Sequence, residues 1–313
     1  MSVHSRASVT KLFLIFLLSI FSTSLFSAVG SWSQVGPEGG LTNSVAILPS
    51  NSNIVYLGAQ GGFYKSSNAG TSWTKSVSGL PLDTTVYNVK LDPNNADTIF
   101  IGTSNGVYKS TNAGTAWTKL NVGLAFSKHV RAIAVSPTKP ATVFAGSDRQ
   151  GIFKSVDGGL TWSAYTAVPV SIFTEIIVDP KDSSIVYAAT STQGVYKTTD
   201  LGMSWSAINT GLSSLWLQSI AIDPANSAVL YVGGTAGVSK SINGGTSWVA
   251  VNSGLTNTNV RSITVDPHTA STIYVGTVGD TSAIFKSTDG GNSWTKSNSG
   301  IDSFDINRIT AGH

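Results

Sequence analysis

The sequence predicts an all-β fold assembled from repeated four-stranded units, and three observations carry that prediction. Glycine accounts for 32 of the 313 residues and only 11% are charged, a composition typical of many short strands joined by tight turns. Only two residues are glutamates, Glu38 and Glu175, so the Glu–Lys pairs that support exposed helices are missing. Tryptophans recur at intervals of 41 to 46 residues, which is the length of one β-propeller blade.

The first 28 residues are predicted to be a secretory signal that precedes the fold. The segment up to Lys11 is basic, and the run LFLIFLLSIFSTSLF that begins at Leu12 is almost continuously apolar, as in signal peptides. An uncleaved anchor is the alternative, because the apolar run barely reaches the length that spans a bilayer. We therefore expect an exported protein, periplasmic or extracellular, whose mature domain covers residues 29–313 without an integral membrane segment.

Charge and cysteine content exclude several classes of function. Without Arg6 and Lys11 the chain keeps 17 basic against 16 acidic residues, so the high isoelectric point gives no support to nucleic-acid binding. The chain has no cysteine, which excludes disulfides, thiolate zinc sites and a cysteine nucleophile. The histidines do not form a metal-binding pattern, so neither a metal nor another cofactor is expected.

Each repeat ends in one octapeptide. Seven of the eight tryptophans lie in register, at positions 32, 73, 117, 162, 205, 248 and 294. The last six close the octapeptides SSNAGTSW, STNAGTAW, SVDGGLTW, TTDLGMSW, SINGGTSW and STDGGNSW. Asp or Asn followed by Gly favours a tight turn between two strands. Upstream of each octapeptide the sequence predicts three strands, and the tryptophan begins a fourth.

The chain ends are predicted to share one further blade. Residues 31–36 (SWSQVG) have the pattern of an outermost strand, and residues 305–312 (DINRITAG) that of an innermost strand. In propellers the ring is commonly closed by strands from both termini. The sequence therefore predicts a seven-bladed β-propeller whose seventh blade is incomplete, with a six-bladed ring as the alternative.

The octapeptide resembles the Asp-box, or BNR, repeat S-x-D-x-G-x-S/T-W, and the resemblance covers residues 32–313. Proteins with this repeat include sialidases, xyloglucanase-type hydrolases, the sortilin ectodomain and photosystem II assembly-factor propellers, so the resemblance implies a fold more than a function. Asn68, Asn112 and Asn243 replace the aspartate in three copies. Asparagine still accepts hydrogen bonds from turn amides, which argues for a structural role of the box.

A functional site is expected where the repeat varies, on the face opposite the Asp-box turns. Seven positions near the starts of the inner strands differ from blade to blade and are predicted to surround the mouth of the channel: Asn43, Tyr87, Arg131, Thr174, Gln218, Arg261 and Asn307. Trp216, outside the tryptophan register, and Glu175 lie beside them in sequence. We take Tyr87, Arg131, Glu175, Trp216, Gln218 and Arg261 as candidate ligand-binding residues, suited to a peptide or carbohydrate.

The sequence is compatible with three functions. The first is an exported, non-catalytic binding or scaffold module with an unidentified protein or polysaccharide partner. The second is a glycoside hydrolase, which needs two carboxylates across a cleft; Glu175 and Asp305 are the catalytic candidates. The third, from the resemblance, is a photosystem II assembly-factor-like protein, although the nearly balanced mature charge argues against the basic patch of those propellers.

Overall fold

The computed structural model describes residues 36, 41–124, 129–165, 168, 171–279, 281–299 and 306–311. Within these ranges the chain forms six four-stranded antiparallel sheets, each built from four consecutive strands. Apart from Gly36, the predicted signal and the predicted outer strand at residues 31–36 lie outside these ranges. No helix in the described ranges is long and apolar enough to cross a membrane.

The first two strands of each blade contain most of its buried residues. The innermost strands are β1 Thr42–Ile47, β5 Val86–Asp92, β9 Val130–Val135, β13 Phe173–Val178, β17 Leu217–Ile222 and β21 Val260–Val265. The second strands are β2 Val55–Ala59, β6 Asn95–Thr103, β10 Val143–Ser147, β14 Val186–Thr190, β18 Leu230–Gly234 and β22 Ile273–Thr277. Five of the second strands are buried along their whole length, so they form the centre of each blade.

The third and fourth strands are shorter than the innermost strands. The third strands are still mostly buried, whereas the fourth strands have no buried residue. The third strands are β3 Gly62–Ser66, β7 Gly106–Ser110, β11 Ile152–Ser155, β15 Val195–Thr198, β19 Gly237–Ser241 and β23 Ile284–Ser287. The fourth strands are β4 Thr74–Ser76, β8 Thr118–Lys119, β12 Ser163–Tyr165, β16 Ser206–Ala207, β20 Val249–Ala250 and β24 Thr295–Lys296. The predicted order of strands within a blade is therefore confirmed.

The hydrophobic core lies between blades. Phe144 of β10 packs in one buried cluster with Phe173 and Ile176 of β13, in the next blade. Neighbouring blades approach each other closely at a glycine of the second strand: a Cβ atom added to Gly146 would lie 2.6 Å from Cβ of Phe173. Each blade therefore depends on its neighbour for burial of apolar surface, as in other repeat architectures.

The Asp-box closes the turn between the third and fourth strands through its own side chains. Ser155 donates to Asp157 Oδ1 at 2.7 Å, and the amides of Gly159 and Thr161 donate to Ser155 Oγ and Asp157 Oδ1. Asn68 Oδ1 accepts the same pair of bonds in the first box, at 2.9 Å from Ser66 Oγ and 2.8 Å from Ser72 N. The substitution of Asn for Asp therefore preserves the turn.

The six complete sheets in the described ranges match the six-bladed alternative, and the seven-bladed prediction is not confirmed. Residues 306–311 continue beyond the sixth blade, where Ile306 and Ile309 are buried. A Cβ atom added to Gly276 would lie 2.3 Å from Cγ2 of Ile306, the same close approach that joins complete blades. This segment therefore lies beside β21 in the place of a further inner strand; Asp305 and Gly312 fall outside the described residues.

Candidate functional site

A cavity of about 280 Å³ opens where the inner strands begin. All seven variable residues predicted to surround the channel mouth line this cavity. Four further residues complete the lining: Thr42, Ile172, Ser191 and Arg308. We call this the mouth cavity. It joins residues from six blades and the final segment because every inner strand contributes the residue at one position.

The strand geometry explains this convergence. Along β5, Val86 and Asn88 are buried while Tyr87 between them is partly exposed, since successive side chains of a strand point to opposite sides. The same alternation turns Arg131 and Gln218 toward the channel. Ser191, which follows β14, also lines the mouth cavity, so the loops between second and third strands open on this face. The Asp-box turns lie at the opposite ends of the third strands.

Positive charge dominates the lining. Arg131, Arg261 and Arg308 line the mouth cavity, and its described lining includes no acidic residue. Arg261 has an exposed side chain and no acidic partner among the described residues. Guanidinium groups are suited to carboxylates because they donate two parallel hydrogen bonds. The nearly balanced net charge therefore conceals a local basic surface, contrary to the expectation from composition.

Arg131 is held in a cluster at one side of the mouth. Its Nε and Nη2 atoms each lie 3.3 Å from Asp148 Oδ2, on the loop between β10 and β11 of the same blade. Both residues belong to the third blade, so this ion pair lies within one blade. His129 Nδ1 lies 3.7 Å from Asp148 Oδ2, and Arg149 Nε lies 3.9 Å from Asp148 Oδ1.

Glu175 lies at the channel with a side chain only 6% exposed. Its Oε1 atom accepts a hydrogen bond from Arg308 Nη2, and its Oε2 atom accepts from Ser219 Oγ at 2.7 Å and Ile220 N at 3.1 Å. Burial by itself raises the pKa of Glu175, but the charges of Arg308 and Lys90 and these hydrogen bonds outweigh it and hold the pKa below its usual range. Glu175 is therefore an ionised, fully engaged carboxylate.

Lys90 lies on β5 and is the third member of this charged group. Burial lowers the pKa of Lys90 below its ordinary value, while the charge of Glu175 opposes that effect and the charge of Arg308 adds to it. Its side chain is partly exposed although it is densely surrounded, which is consistent with a position inside the channel. One carboxylate and two cationic groups therefore interact electrostatically at the channel.

The remaining candidates differ in position. Trp216, directly before β17, is 59% exposed and is not among the residues that line the mouth cavity. Its carbonyl oxygen would lie 2.0 Å from a Cβ atom added to Gly234, so its backbone packs closely against the end of β18. Asp305 lies outside the described residues. In the described part of the chain, no group of His, Asp or Glu side chains has metal-binding geometry.

Arg308 and Lys90 are the functional candidates that sequence reasoning missed. Both sit on inner-strand positions that hold small or neutral residues in most other blades. Glu175 and Arg308 occupy the same position of their strands, as aligned through Ile176 and Ile309. The other blades have an uncharged residue at this position of the repeat. One acidic and one basic residue at equivalent positions therefore indicated a pair across the channel.

Comparisons with known proteins place the chain in a family. The model of the family described as Photosynthesis system II assembly factor YCF48 matches residues 41–309. No protein with a curated function matches the chain in sequence.

Similar solved structures include hydrolases and a peptide complex. An ancestral GH74 enzyme is 24% identical, with a TM-score of 0.68 over 83% of this chain and 38% of its own. The GH74 xyloglucanase from Xanthomonas campestris is 18% identical, with a TM-score of 0.69 over 84% of this chain and 46% of its own. A structure of YCF48 bound to D1 peptide is 15% identical, with a TM-score of 0.66 over 84% of this chain and 83% of its own. This chain thus spans less than half of the two enzymes, and these likenesses show the fold alone.

Proposed function

The chain belongs to the Photosynthesis system II assembly factor YCF48 family, and we propose that it is a non-catalytic binding module that receives an acidic segment of a partner protein in the mouth cavity. The observation that carries this proposal is the lining itself, with three arginines and no acidic residue among its described members. A carboxylate that enters the cavity meets guanidinium groups contributed by the third and sixth blades and the final segment. Bidentate hydrogen bonds to such groups provide both affinity and orientation.

A peptide is the ligand class that the comparisons support best. The structure of YCF48 that shares this fold contains a D1 peptide, which supports a polypeptide ligand for a propeller of this family. The cavity of about 280 Å³ is small relative to typical drug-sized pockets of roughly 300 to 1,000 Å³. It accommodates one or two side chains of an extended segment, and the rest of the segment would lie across the face.

Glycoside hydrolysis is less well supported. Hydrolysis requires one carboxyl group that gives up a proton and a second that attacks or activates water. Glu175 is held ionised by Arg308 and Lys90, and Asp148 is engaged by Arg131. The lowered pKa of Glu175 is the opposite of the raised pKa that a general acid needs, and both carboxylates are already paired with arginine side chains.

The proposal includes export. The basic and apolar pattern of residues 1–28 supports a signal peptide, so we place the module outside the cytoplasm, where it acts as a binding or scaffold protein. Expression of the full chain followed by N-terminal sequencing of the mature product tests this part. A product that begins near residue 29 is expected, and an intact Met1 would overturn export by cleavage.

The binding experiment uses three fluorescent peptides of equal length, one rich in Glu, one rich in Lys and one neutral. Fluorescence anisotropy with the purified protein is expected to show saturable binding of the acidic peptide alone, weakened at least tenfold in Arg261→Ala and reduced by added salt. Equal binding of all three peptides would overturn the proposal. Release of reducing ends from a glucan by the wild-type protein, lost in Glu175→Gln, would establish a hydrolase instead.

A further inference from the structure

One inner-strand position makes a repeated hydrogen bond between adjacent blades. Ser44 Oγ accepts from Val89 N at 3.0 Å, Asn88 Oδ1 accepts from Ile133 N at 3.2 Å, and Ser219 Oγ accepts from Ile263 N at 3.3 Å. The same position of the fourth blade holds Glu175, whose Oε2 atom accepts from Ile220 N. Because serine suffices for this bond in other blades, the bond between blades does not account for a buried carboxylate at Glu175.

The other carboxylate oxygen of Glu175, Oε1, makes a contact that has no counterpart in the other blades as far as their residues are described. It accepts from Arg308, a residue 133 positions later in the chain. Arg308 occupies the equivalent position of the segment at residues 306–311, so the two side chains meet across the channel. Among the described residues this is the one ion pair that links two blade positions.

Backbone hydrogen bonds also attach the final segment to the sixth blade. Ile309 N donates to Ser262 Oγ at 2.9 Å, and Ile306 N donates to Thr277 O at 3.0 Å. In the described ranges, residues 306–310 form no ladder with a second strand, unlike the six inner strands. The burial of Ile306 and Ile309, these bonds, a β-bridge at Ala311 and the pair with Glu175 together hold the segment in place.

The same segment builds part of the ligand-binding surface. Asn307 and Arg308 both line the mouth cavity. Glu175 accepts one hydrogen bond from the guanidinium group, through Nη2, and in the described structure no other acceptor engages Arg308. A guanidinium group has five N–H donors, so donors remain for an incoming carboxylate while Glu175 fixes the position of the group.

We propose that Glu175 is a positioning residue of the binding site: its carboxylate holds Arg308 at the floor of the mouth cavity and thereby fixes residues 306–311 as part of the binding surface. The predicted effect on peptide binding rests on the proposed function, whereas the predicted effect on the position of residues 306–311 does not. Glu175 takes no part in contacting the ligand. Breaking a buried pair by removing one partner leaves the other charge uncompensated, so Arg308 would move toward solvent.

Electrostatics and positioning predict opposite outcomes when Glu175 is neutralised. Removal of a negative charge close to a cationic cavity strengthens the attraction of an acidic peptide if the structure stays unchanged. If Glu175 positions Arg308, the same change weakens binding, because Asn307 and Arg308 leave the cavity wall. The sign of the change in affinity therefore distinguishes the two.

The test compares Glu175→Gln and Glu175→Ser with the wild-type protein. Serine is the residue at this position in the first, fifth and sixth blades. The hydroxyl group of Glu175→Ser can therefore still accept a hydrogen bond from Ile220 N, which makes a general folding defect less of a concern than in Glu175→Gln. Anisotropy with the acidic fluorescent peptide and hydrogen exchange at residues 306–311 are measured on each. We expect at least a fivefold loss of affinity and faster exchange in this segment, with unchanged exchange in β9 and β10.

The variant Arg308→Gln provides the reciprocal test. It retains Glu175 with its bonds from Ser219 and Ile220 but removes the ion pair, so fast exchange at residues 306–311 and weak binding of the acidic peptide are expected here as well. Tighter or equal peptide binding by Glu175→Gln, with unchanged exchange, would overturn the inference. If the wild-type protein binds no acidic peptide, the proposed function fails, and the exchange measurements still decide whether Glu175 holds the segment.

Discussion

The guanidinium group of Arg131 lies 4.7 Å from the centroid of the Tyr87 ring in the preceding blade. The same group donates to Asp148 through Nε and Nη2, so it is fixed by a ring on one side and a carboxylate on the other. A planar guanidinium can stack on a ring through its face and donate parallel hydrogen bonds through its edge, a geometry that the tetrahedral ammonium group of lysine does not have. The pair therefore presents one preoriented cation at the wall of the mouth cavity.

Replacement of Arg131 with lysine is expected to weaken acidic-peptide binding by about tenfold, or about 1.4 kcal/mol, although the charge is retained. The reason is loss of the stacked, planar donor. Anisotropy titrations measure the change, and Arg149→Lys is the matched control, since the Arg149 side chain is 78% exposed and does not line the cavity. Equal affinity of Arg131→Lys and wild type would show that only charge matters there.

Lysines before the Asp-box fasten one blade to the next. Lys240 Nζ donates to Gly290 O of the next Asp-box turn at 2.7 Å and lies 5.5 Å from the Tyr231 ring centroid. We expect Lys240→Ala to destabilise the protein by about 1 kcal/mol and to lower the melting temperature by about 2 °C. Thermal unfolding followed by circular dichroism measures the shift.

Lys286 provides the control for that prediction. It lies 5.4 Å from the Tyr274 ring centroid, but the described structure places no following Asp-box turn beside it. Lys286→Ala is therefore expected to have less effect on melting than Lys240→Ala. A larger effect at Lys286 would contradict the interpretation that these lysines stabilise the protein by joining adjacent blades.

The aspartates of the boxes are expected to make the fold sensitive to acid. Hydrogen bonds from the Thr161 side chain and amide and from Ser155 lower the pKa of Asp157 to about 2. Because the folded pKa lies below the unfolded value of about 3.9, the stabilisation is complete above that value and is lost as the pH falls from about 4 to about 2.

Asp157→Asn is expected to leave the melting temperature at pH 7 almost unchanged and to reduce its fall between pH 4 and pH 2.5. Asn68 shows that asparagine makes the same turn bonds. The reciprocal variant, Asn68→Asp, is expected to steepen the fall. Melting curves across this pH range measure both, and parallel curves for Asp157→Asn and wild type would refute the prediction.

One position between blades offers a stabilising substitution. Ala132 occupies the place of Ser44 and Ser262 in their strands, so in the described structure no side chain accepts a hydrogen bond from Ile176 N. Ala132→Ser is expected to add about 1 kcal/mol of stability. Urea denaturation measures it, with Ser44→Ala as the opposite change; a destabilised Ala132→Ser would show that the buried site lacks room for the hydroxyl.

The repeated elements were predictable because local patterns specify them. Apolar residues alternate along every inner strand, as Val89 and Leu91 do on β5, and the Asp-box supplies its own turn bonds. The register of the repeat also located the channel mouth, since equivalent positions such as Tyr87 and Arg261 must lie at equivalent points of a ring. The use of Asn or Asp in the box followed from the hydrogen bonds that both can accept.

The residues themselves thus determined the β-propeller, the order of strands within a blade and the variable ring that lines the mouth cavity. The tertiary structure decided the number of complete blades in the described chain, the partner of Arg131 within its own blade and the pair between Glu175 and Arg308. Periodic strand patterns reflect interactions between neighbours in sequence. A contact across the channel joins residues 133 positions apart, and only closure of the ring brings such side chains together.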